Sequence, residues 1–71
     1  MIAKVLKLDS NGYARRLIWI DLNKVMGISD INNDGEFSFY FDNNSAWKVY
    51  EFDEDNTYAL ILNKWEQCHG Q

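Results

Sequence analysis

Polar turn clusters divide the first fifty residues of this chain into short segments of similar length, and this spacing limits the fold more than any other feature. Each cluster is rich in Asn, Asp or Gly, and they lie at residues 9–12, 21–24, 32–35 and 42–45. The runs between them are enriched in β-branched and aromatic residues, which is typical of strands. We therefore predict sequential antiparallel strands at Ile2–Leu8, Tyr13–Ile20, Val25–Ile31, Glu36–Phe41 and Ala46–Phe52.

The fourth of these strands has the clearest pattern. Phenylalanine occupies every second position, at Phe37, Phe39 and Phe41. Alternate side chains of a strand point to the same face, so these three predict one apolar face. The preceding Asp34-Gly35 pair predicts a hairpin turn, because glycine adopts a positive φ without steric cost.

The periodicity changes near the C-terminus, where apolar residues recur at helical spacing. They are Tyr58, Ile61, Leu62, Trp65 and Cys68. This stripe predicts an amphipathic helix, with Asp53, Asp55 or Asn56 as its N-terminal cap and Gly70 as its end. The predicted fold class is therefore α+β: an antiparallel meander of four to five strands with one C-terminal helix packed on one face.

Length and composition restrict the rest. Residues 1–71 suffice for a single small domain, which buries only ~60% of its extended surface. Its core must therefore be dense, and the 46% apolar and 15% aromatic content can fill it. The one cysteine, Cys68, has no partner for an internal disulfide, and no Cys and His residues have the spacing of a zinc site. We predict no cofactor and assign no metal ligand.

The hydropathy pattern predicts no membrane segment. The longest apolar run, Tyr58–Leu62, is far shorter than the ~20 residues that a spanning helix needs. The first residues also lack the apolar block and cleavage site of a signal peptide. Together with a free thiol, these features predict a cytoplasmic protein.

Negative charge is concentrated in the middle of the chain. Residues 30–55 contain eight acids and one base, Lys48, which gives this segment a charge of −7 in a chain of formal net charge −4. The same segment contains seven aromatic residues. Carboxylates interleaved with aromatic rings suit a basic protein surface, whereas the phosphates of nucleic acid would be repelled.

We therefore predict a non-enzymatic protein-binding module that occupies a basic site on a nucleic-acid-binding protein, without contacting nucleic acid or membrane itself. The predicted contact residues combine acids that mimic phosphates with two aromatic anchors. They are Asp30, Asp34, Glu36, Tyr40, Asp42, Trp47, Glu51, Asp53, Glu54 and Asp55. The alternative for the anchors, and for Trp19 and Tyr50, is that they cover strand edges or form a second small core.

Three short motifs have a functional and a structural interpretation. Residues 30–37 match the start of an EF-hand calcium loop, but Phe41 stands where a bidentate Glu is required, so a polar hairpin turn is favoured over a weak calcium site. Asp53-Glu54-Asp55 is typical of a solvated helix start. Cys68-His69 is better interpreted as a packed thiol beside an exposed imidazole than as a nucleophile and its base, since adjacent helical residues do not face each other.

The basic pair Arg15-Arg16 could contact phosphate only if both side chains formed one patch. Alternation in a strand places them on opposite faces, so we expect each to pair with acids of neighbouring strands instead.

The order of elements carries a family resemblance. The elements follow this order: a strand from Met1-Ile2, an Asn11-Gly12 turn, Val25 to Ile28, two aromatic strands, and Glu51-x-x-Glu54 before a helix. This order resembles that of the small flagellar FlbD-type proteins and related short bacterial or phage proteins. The chain departs from that pattern at the second hairpin, where residues 42–45 replace an Asn-Gly-type turn. The resemblance implies a sheet-plus-helix adaptor without enzymatic activity.

In style, the small, acidic and aromatic-rich chain is similar to phage or mobile-element inhibitors, including anti-CRISPR proteins and DNA mimics. That similarity implies an inhibitor that fills the basic groove of a nucleic-acid enzyme. Two alternatives stay open: an adaptor subunit that self-associates through its sheet to give a homodimer, and a protein with a weak calcium-binding turn.

Overall fold

The computed structural model of the chain describes residues 1–70 and contains five strands, a short 3-10 turn and one α-helix. The elements are β1 (Ile2–Leu8), β2 (Arg15–Asp21), the 3-10 turn (Leu22–Lys24), β3 (Gly27–Ile28), β4 (Glu36–Tyr40), β5 (Ala46–Tyr50) and α1 (Tyr58–His69). All strands pair antiparallel in one open sheet, so the predicted α+β class with a C-terminal helix is confirmed.

The strand order is β2-β1-β5-β4-β3, which differs from the order of a simple meander. The connection after β2 does not return beside it, because it carries Leu22 and Val25, both fully buried. The chain therefore passes through the core to the opposite edge of the sheet, and β1 is left to pair with both β2 and β5. β1 is central because β2 pairs with one of its edges and β5 with the other, and its Ala3 and Val5 side chains are buried in the core.

One face of the sheet forms the core with α1. Register places Ala3 and Val5 of β1 on the same face as Ile20 of β2, Phe37 and Phe39 of β4 and Val49 of β5, and all six are buried. Ile61 of α1 completes this core from the other side. The predicted alternation is confirmed for Phe37 and Phe39, while Phe41 lies just beyond β4 and is half-buried.

Four of the five predicted strands are shorter than expected, and two of them, β4 and β5, only end early, at Tyr40 and Tyr50. The segment Val25–Ile31 forms strand pairing only at Gly27–Ile28, because Val25 turns into the core. The second strand begins at Arg15 instead of Tyr13, since Asp9 accepts the backbone N–H of Tyr13 within the first hairpin turn.

The helix begins at Tyr58 with Thr57 as its N-cap, so the prediction of Asp53, Asp55 or Asn56 as the cap was wrong. The Thr57 hydroxyl oxygen accepts the Leu60 N–H at 3.3 Å. Asp53 instead accepts the Asp55 N–H in a turn before the helix. Gly70 is the C-cap, as predicted.

The C-terminal half of α1 is fastened to the connection after β2. The Trp65 indole N–H donates to the Val25 carbonyl at 2.8 Å, and the His69 Nε2 atom lies 2.9 Å from the Leu22 carbonyl oxygen. Within residues 1–70, no helix combines the length and apolarity needed to cross a membrane.

Candidate protein-binding surface

Pairing of β4 with β5 brings most of the predicted acids to one end of the sheet. Glu36 lies opposite Tyr50, so the residues before β4 and those after β5 meet at the same end. We call this group the acidic end. It comprises Asp30, Asp34, Glu36, Glu51, Asp53, Glu54 and Asp55. Asp42 follows the other end of β4 and lies at the opposite end of the sheet.

The carboxylates of the acidic end face solvent. Six of the seven residues are exposed, and Glu36 is half-buried. In residues 1–70, the one ion pair joins the terminal amine of Met1 to Asp21 at 3.6 Å. No lysine or arginine of the described chain therefore forms an ion pair with the acidic end, although the charge of Lys4 is near enough to contribute to the lowered pKa of Asp53.

Two tyrosines donate hydrogen bonds to the acid that begins β4 and to the acid that follows β5. The Tyr50 hydroxyl donates to Glu36 Oε2 at 2.9 Å, and this hydrogen bond to the carboxylate raises the pKa of Tyr50 above its ordinary value of 10.0. The backbone N–H of Tyr58 donates to Glu51 Oε2 at 2.7 Å, which places a carboxylate at the positive end of α1. Each of these two carboxylates thus accepts a hydrogen bond from a tyrosine of the chain.

Asp30 belongs to the same end through Tyr58. The Tyr58 hydroxyl donates to the Ser29 carbonyl at 2.9 Å. Burial, and in second place the nearby charge of Asp30, raise the pKa of Tyr58. The side chains of Asp34, Glu54 and Asp55 make no hydrogen bond within the described residues, and so they are available to a partner.

Asn56 organises the loop between β5 and α1, and sequence reasoning missed this role. It is the one buried polar residue in the described part of the chain, with 8% of its surface exposed. Its Oδ1 accepts the Lys4 backbone N–H at 3.0 Å, and its Nδ2 donates to Asp53 Oδ1 at 2.8 Å. The hydrogen bond from Asn56 is the main cause of the lowered pKa of Asp53. Nothing local in the sequence separates Asn56 from the seven other asparagines.

The two predicted anchors do not join the acidic end. Phe39 lies opposite Trp47 and Tyr40 opposite Ala46, so Tyr40 and Trp47 point to opposite faces of the sheet. Trp47 is half-buried in a T-shaped contact with Phe41, at 4.8 Å between ring centroids. Tyr40 is 45% exposed on the face opposite α1, about 13 Å along β4 from Glu36 at ~3.3 Å per residue.

The face of the sheet opposite α1, which we call the open face, carries the predicted anchor Tyr40 together with Trp19 and Tyr50. Cations lie over aromatic rings there: the Lys4 Nζ is 5.6 Å from the centroid of Trp19, and the Arg15 guanidinium carbon is 3.8 Å from that of Tyr50. The expected pairing of the arginines with acids does not occur within residues 1–70, since Arg15 stacks on Tyr50 instead. In the sequence, the alternate positions of Arg15, Leu17 and Trp19 along β2 were the signal that these three side chains share one face of the sheet.

The EF-hand-like segment is a hydrogen-bonded hairpin turn. Asn32 Oδ1 accepts the backbone N–H groups of Asp34 and Glu36, both at 2.9 Å, so this oxygen is already occupied. Within residues 1–70, no group of three or more His, Cys, Asp or Glu side chains is arranged to hold a metal. This geometry gives the calcium hypothesis no support.

Neither the Cys68-His69 motif nor an open hollow beside the first hairpin is part of the acidic end. Cys68 packs against the core, and His69 contacts both the Leu22 carbonyl and the Trp65 ring. An open hollow of about 460 Å³ lies beside the first hairpin turn at the opposite end of the sheet, next to Lys7, Trp47 and Lys48. Lys7 and Lys48 thus line this hollow with Asp9 at one end of the sheet, and seven carboxylates lie at the other end.

Comparison of the chain with protein-family models, curated proteins and solved structures finds no match. The resemblance to FlbD-type proteins and the similarity in style to phage inhibitors therefore stay predictions from the sequence.

Proposed function

We propose that this chain is a non-enzymatic protein-binding module whose acidic end occupies a basic site on another protein. The observation that carries the proposal is the gathering of seven carboxylates at one end of the sheet with no ion pair to a lysine or arginine of residues 1–70. Like charges gathered at one end of a small domain repel one another and oppose folding. A basic partner relieves that repulsion, so binding and charge are coupled.

The kind of partner is inferred from how the carboxylates of the acidic end are bonded and exposed. Hydrogen bonds hold Glu36 and Glu51 in place, whereas Asp34, Glu54 and Asp55 project from turns. An array of hydrogen-bonded and unbonded negative charges suits a groove lined with lysine and arginine, such as one that otherwise binds nucleic-acid phosphates. The narrower form of the proposal is a phage or mobile-element inhibitor of the DNA-mimic or anti-CRISPR type.

Charge reversal tests which acids bind. The variant Asp34→Lys/Asp55→Lys changes two side chains of the acidic end that make no hydrogen bond in the described chain. The matched control Asp42→Lys/Glu66→Lys changes net charge equally, but lies outside the acidic end. The probe is a deca-arginine peptide, and its affinity is measured by titration calorimetry at low and high salt.

We expect the first variant to bind the peptide about tenfold more weakly than the unmodified chain at low salt, because each exposed charge contributes about 0.2–1 kcal/mol. The control should lose much less, and high salt should weaken binding by the unmodified chain. Equal losses in the two variants would show that net charge alone governs binding, and the proposal would then fail.

A further inference from the structure

The strand β2 forms an outer edge of the sheet, and its outward backbone groups follow from the register with β1. The Leu22 N–H donates to the Met1 carbonyl and the Asp9 N–H to the Ala14 carbonyl, both at 2.8 Å. Both contacts continue the β1–β2 register, in which hydrogen-bonded pairs alternate with non-bonded pairs. The even-numbered residues of β2 therefore bond to β1. The outward N–H and C=O groups belong to Arg15, Leu17, Trp19 and Asp21.

These four residues also share the open face, and their side chains form a sequence that is complementary to its own reverse. Going along β2, they are a cation, an apolar residue, an apolar residue and an anion. If a second β2 pairs antiparallel with Ile18 opposite the partner's Ile18, Arg15 lies opposite the partner's Asp21 and Leu17 opposite the partner's Trp19. Opposite charges and apolar pairs directly across two strands stabilise a sheet.

The alternation of inward and outward backbone groups along β2 independently favours the same register. Arg15 and the partner's Asp21, like Leu17 and the partner's Trp19, are residues whose N–H and C=O groups both point outward. This register therefore forms about eight interstrand hydrogen bonds. A shift by one residue would oppose outward groups to inward ones. A shift by two would place Leu17 opposite the partner's Asp21, or Arg15 opposite the partner's Trp19, and would lose the salt bridge.

The edge carries little protection against such pairing. β2 is seven residues long, pairs with β1 without a bulge and contains no proline. Trp19 is 63% exposed and Leu17 is 39% exposed. A long edge strand with exposed apolar side chains is a template for another strand.

We propose that two copies of this chain form a two-fold symmetric dimer through antiparallel pairing of β2, which joins their sheets into one of ten strands. The Asp21 contacts with the Met1 amine and the Asn23 N–H both use Oδ1, which leaves Oδ2 for the partner's Arg15, and Arg15 leaves its stack on Tyr50 to reach it. The two-fold axis also turns the acidic ends away from each other, because each lies at the Asp21 end of its own β2. Repulsion between the copies is thereby kept small.

Charge reversal on β2 tests the dimer. Arg15→Asp places two carboxylates opposite each other at both ends of the paired strands, whereas Arg15→Asp/Asp21→Arg restores opposite charges. The control Arg16→Asp makes the same change of net charge on the face of β2 that carries α1. Mass is measured by light scattering during size-exclusion chromatography. The near-ultraviolet circular dichroism of the tryptophans is the check that each variant is folded.

We expect the unmodified chain and Arg16→Asp to have twice the 8.4 kDa mass of one copy, and Arg15→Asp to have the mass of one copy. The double variant should regain the dimer. A monomeric unmodified chain at high protein concentration, or an Arg15→Asp variant that stays dimeric, would overturn the proposal.

Amide hydrogen exchange supplies a second measurement that does not depend on a variant. The outward amides of Leu17 and Trp19 should exchange slowly at high protein concentration and rapidly on dilution, while the inward amide of Ile18 stays slow at both. Rapid exchange of Leu17 and Trp19 at every concentration would contradict the pairing. The dimer rests on β2 alone, so Asp34→Lys/Asp55→Lys should remain dimeric whatever its effect on peptide binding.

Discussion

At the scale of single residues, the Asn56 side chain links two parts of the fold through its hydrogen bonds to Lys4 and Asp53. Its side chain continues the role of a strand, because the β1–β5 pairing stops at Leu6 and Tyr50 and Asn56 Oδ1 then accepts the Lys4 N–H. The same amide draws Asp53 into the loop before α1. One side chain thus joins the first strand to the acidic end.

Replacement of this side chain should therefore be costly. In Asn56→Ala the Lys4 N–H and Asp53 both lose a partner, and we expect the free energy of unfolding to fall by about 1–3 kcal/mol in urea denaturation. The control Asn33→Ala removes an exposed amide with no hydrogen bond in the described chain and should change it by less than about 0.5 kcal/mol. A loss equal to that of the control would remove the structural role of Asn56.

Gly35 is constrained in a different way, by its backbone alone. Its φ is +79°, and a Cβ added there would meet no atom within 4 Å. Gly35→Ala should therefore cost about 1 kcal/mol through conformational strain, without a steric clash. Gly35→Asn should cost less, because asparagine tolerates the left-handed region, as Asn44 does in the next hairpin. Equal costs measured by urea denaturation would exclude this explanation.

At the scale of elements, two tyrosines join the helix start and the sheet, and their titration makes stability depend on alkaline pH. The pKa values of Tyr50 and Tyr58 are both raised above the ordinary value of 10.0. The folded chain then keeps protons that the unfolded chain has begun to lose. Their contribution to stability is full below about pH 10 and is lost as the pH rises through the raised folded values.

The test is the free energy of unfolding measured across this alkaline range. We expect it to decrease with rising pH in the unmodified chain and to decrease less steeply in Tyr50→Phe/Tyr58→Phe. The two chains differ only at these two positions, so the difference in slope isolates the two phenols. Identical slopes would show that neither phenol titrates differently on folding.

At the scale of the whole molecule, the two proposed surfaces occupy different parts of one sheet. The acidic end lies where β4 begins and β5 ends, while the dimer forms along the outer side of β2. Pairing of two copies would present two acidic ends that point in opposite directions. Such a dimer could engage two basic sites at once, and the gain in affinity would depend on the distance between those sites.

The fold class could be predicted because its signals are local. Alternation of Phe37 and Phe39, the Asp34-Gly35 turn and the helical stripe from Tyr58 each depend on neighbours within a few residues. The start of α1 and the role of Gly70 also follow from short-range chemistry, although Thr57 and not an acid is the cap.

The candidate site could be predicted only in part. That the acids are concentrated between residues 30 and 55 is visible in the sequence, but their positions in space depend on the pairing of Glu36 with Tyr50. The same register separates Asp42 from the other acids and turns Tyr40 and Trp47 to opposite faces.

The sequence by itself determined the helix, the turns and, to within two residues at each end, four of the five strands, because backbone preference and side-chain periodicity act over short distances. Only the tertiary structure decided the strand order, the role of Asn56 and the exposure of β2 as an edge. The physical reason is burial: placing Leu22 and Val25 in the core sends the chain to the far side of the sheet. That long-range choice leaves β2 without a second neighbour within the chain.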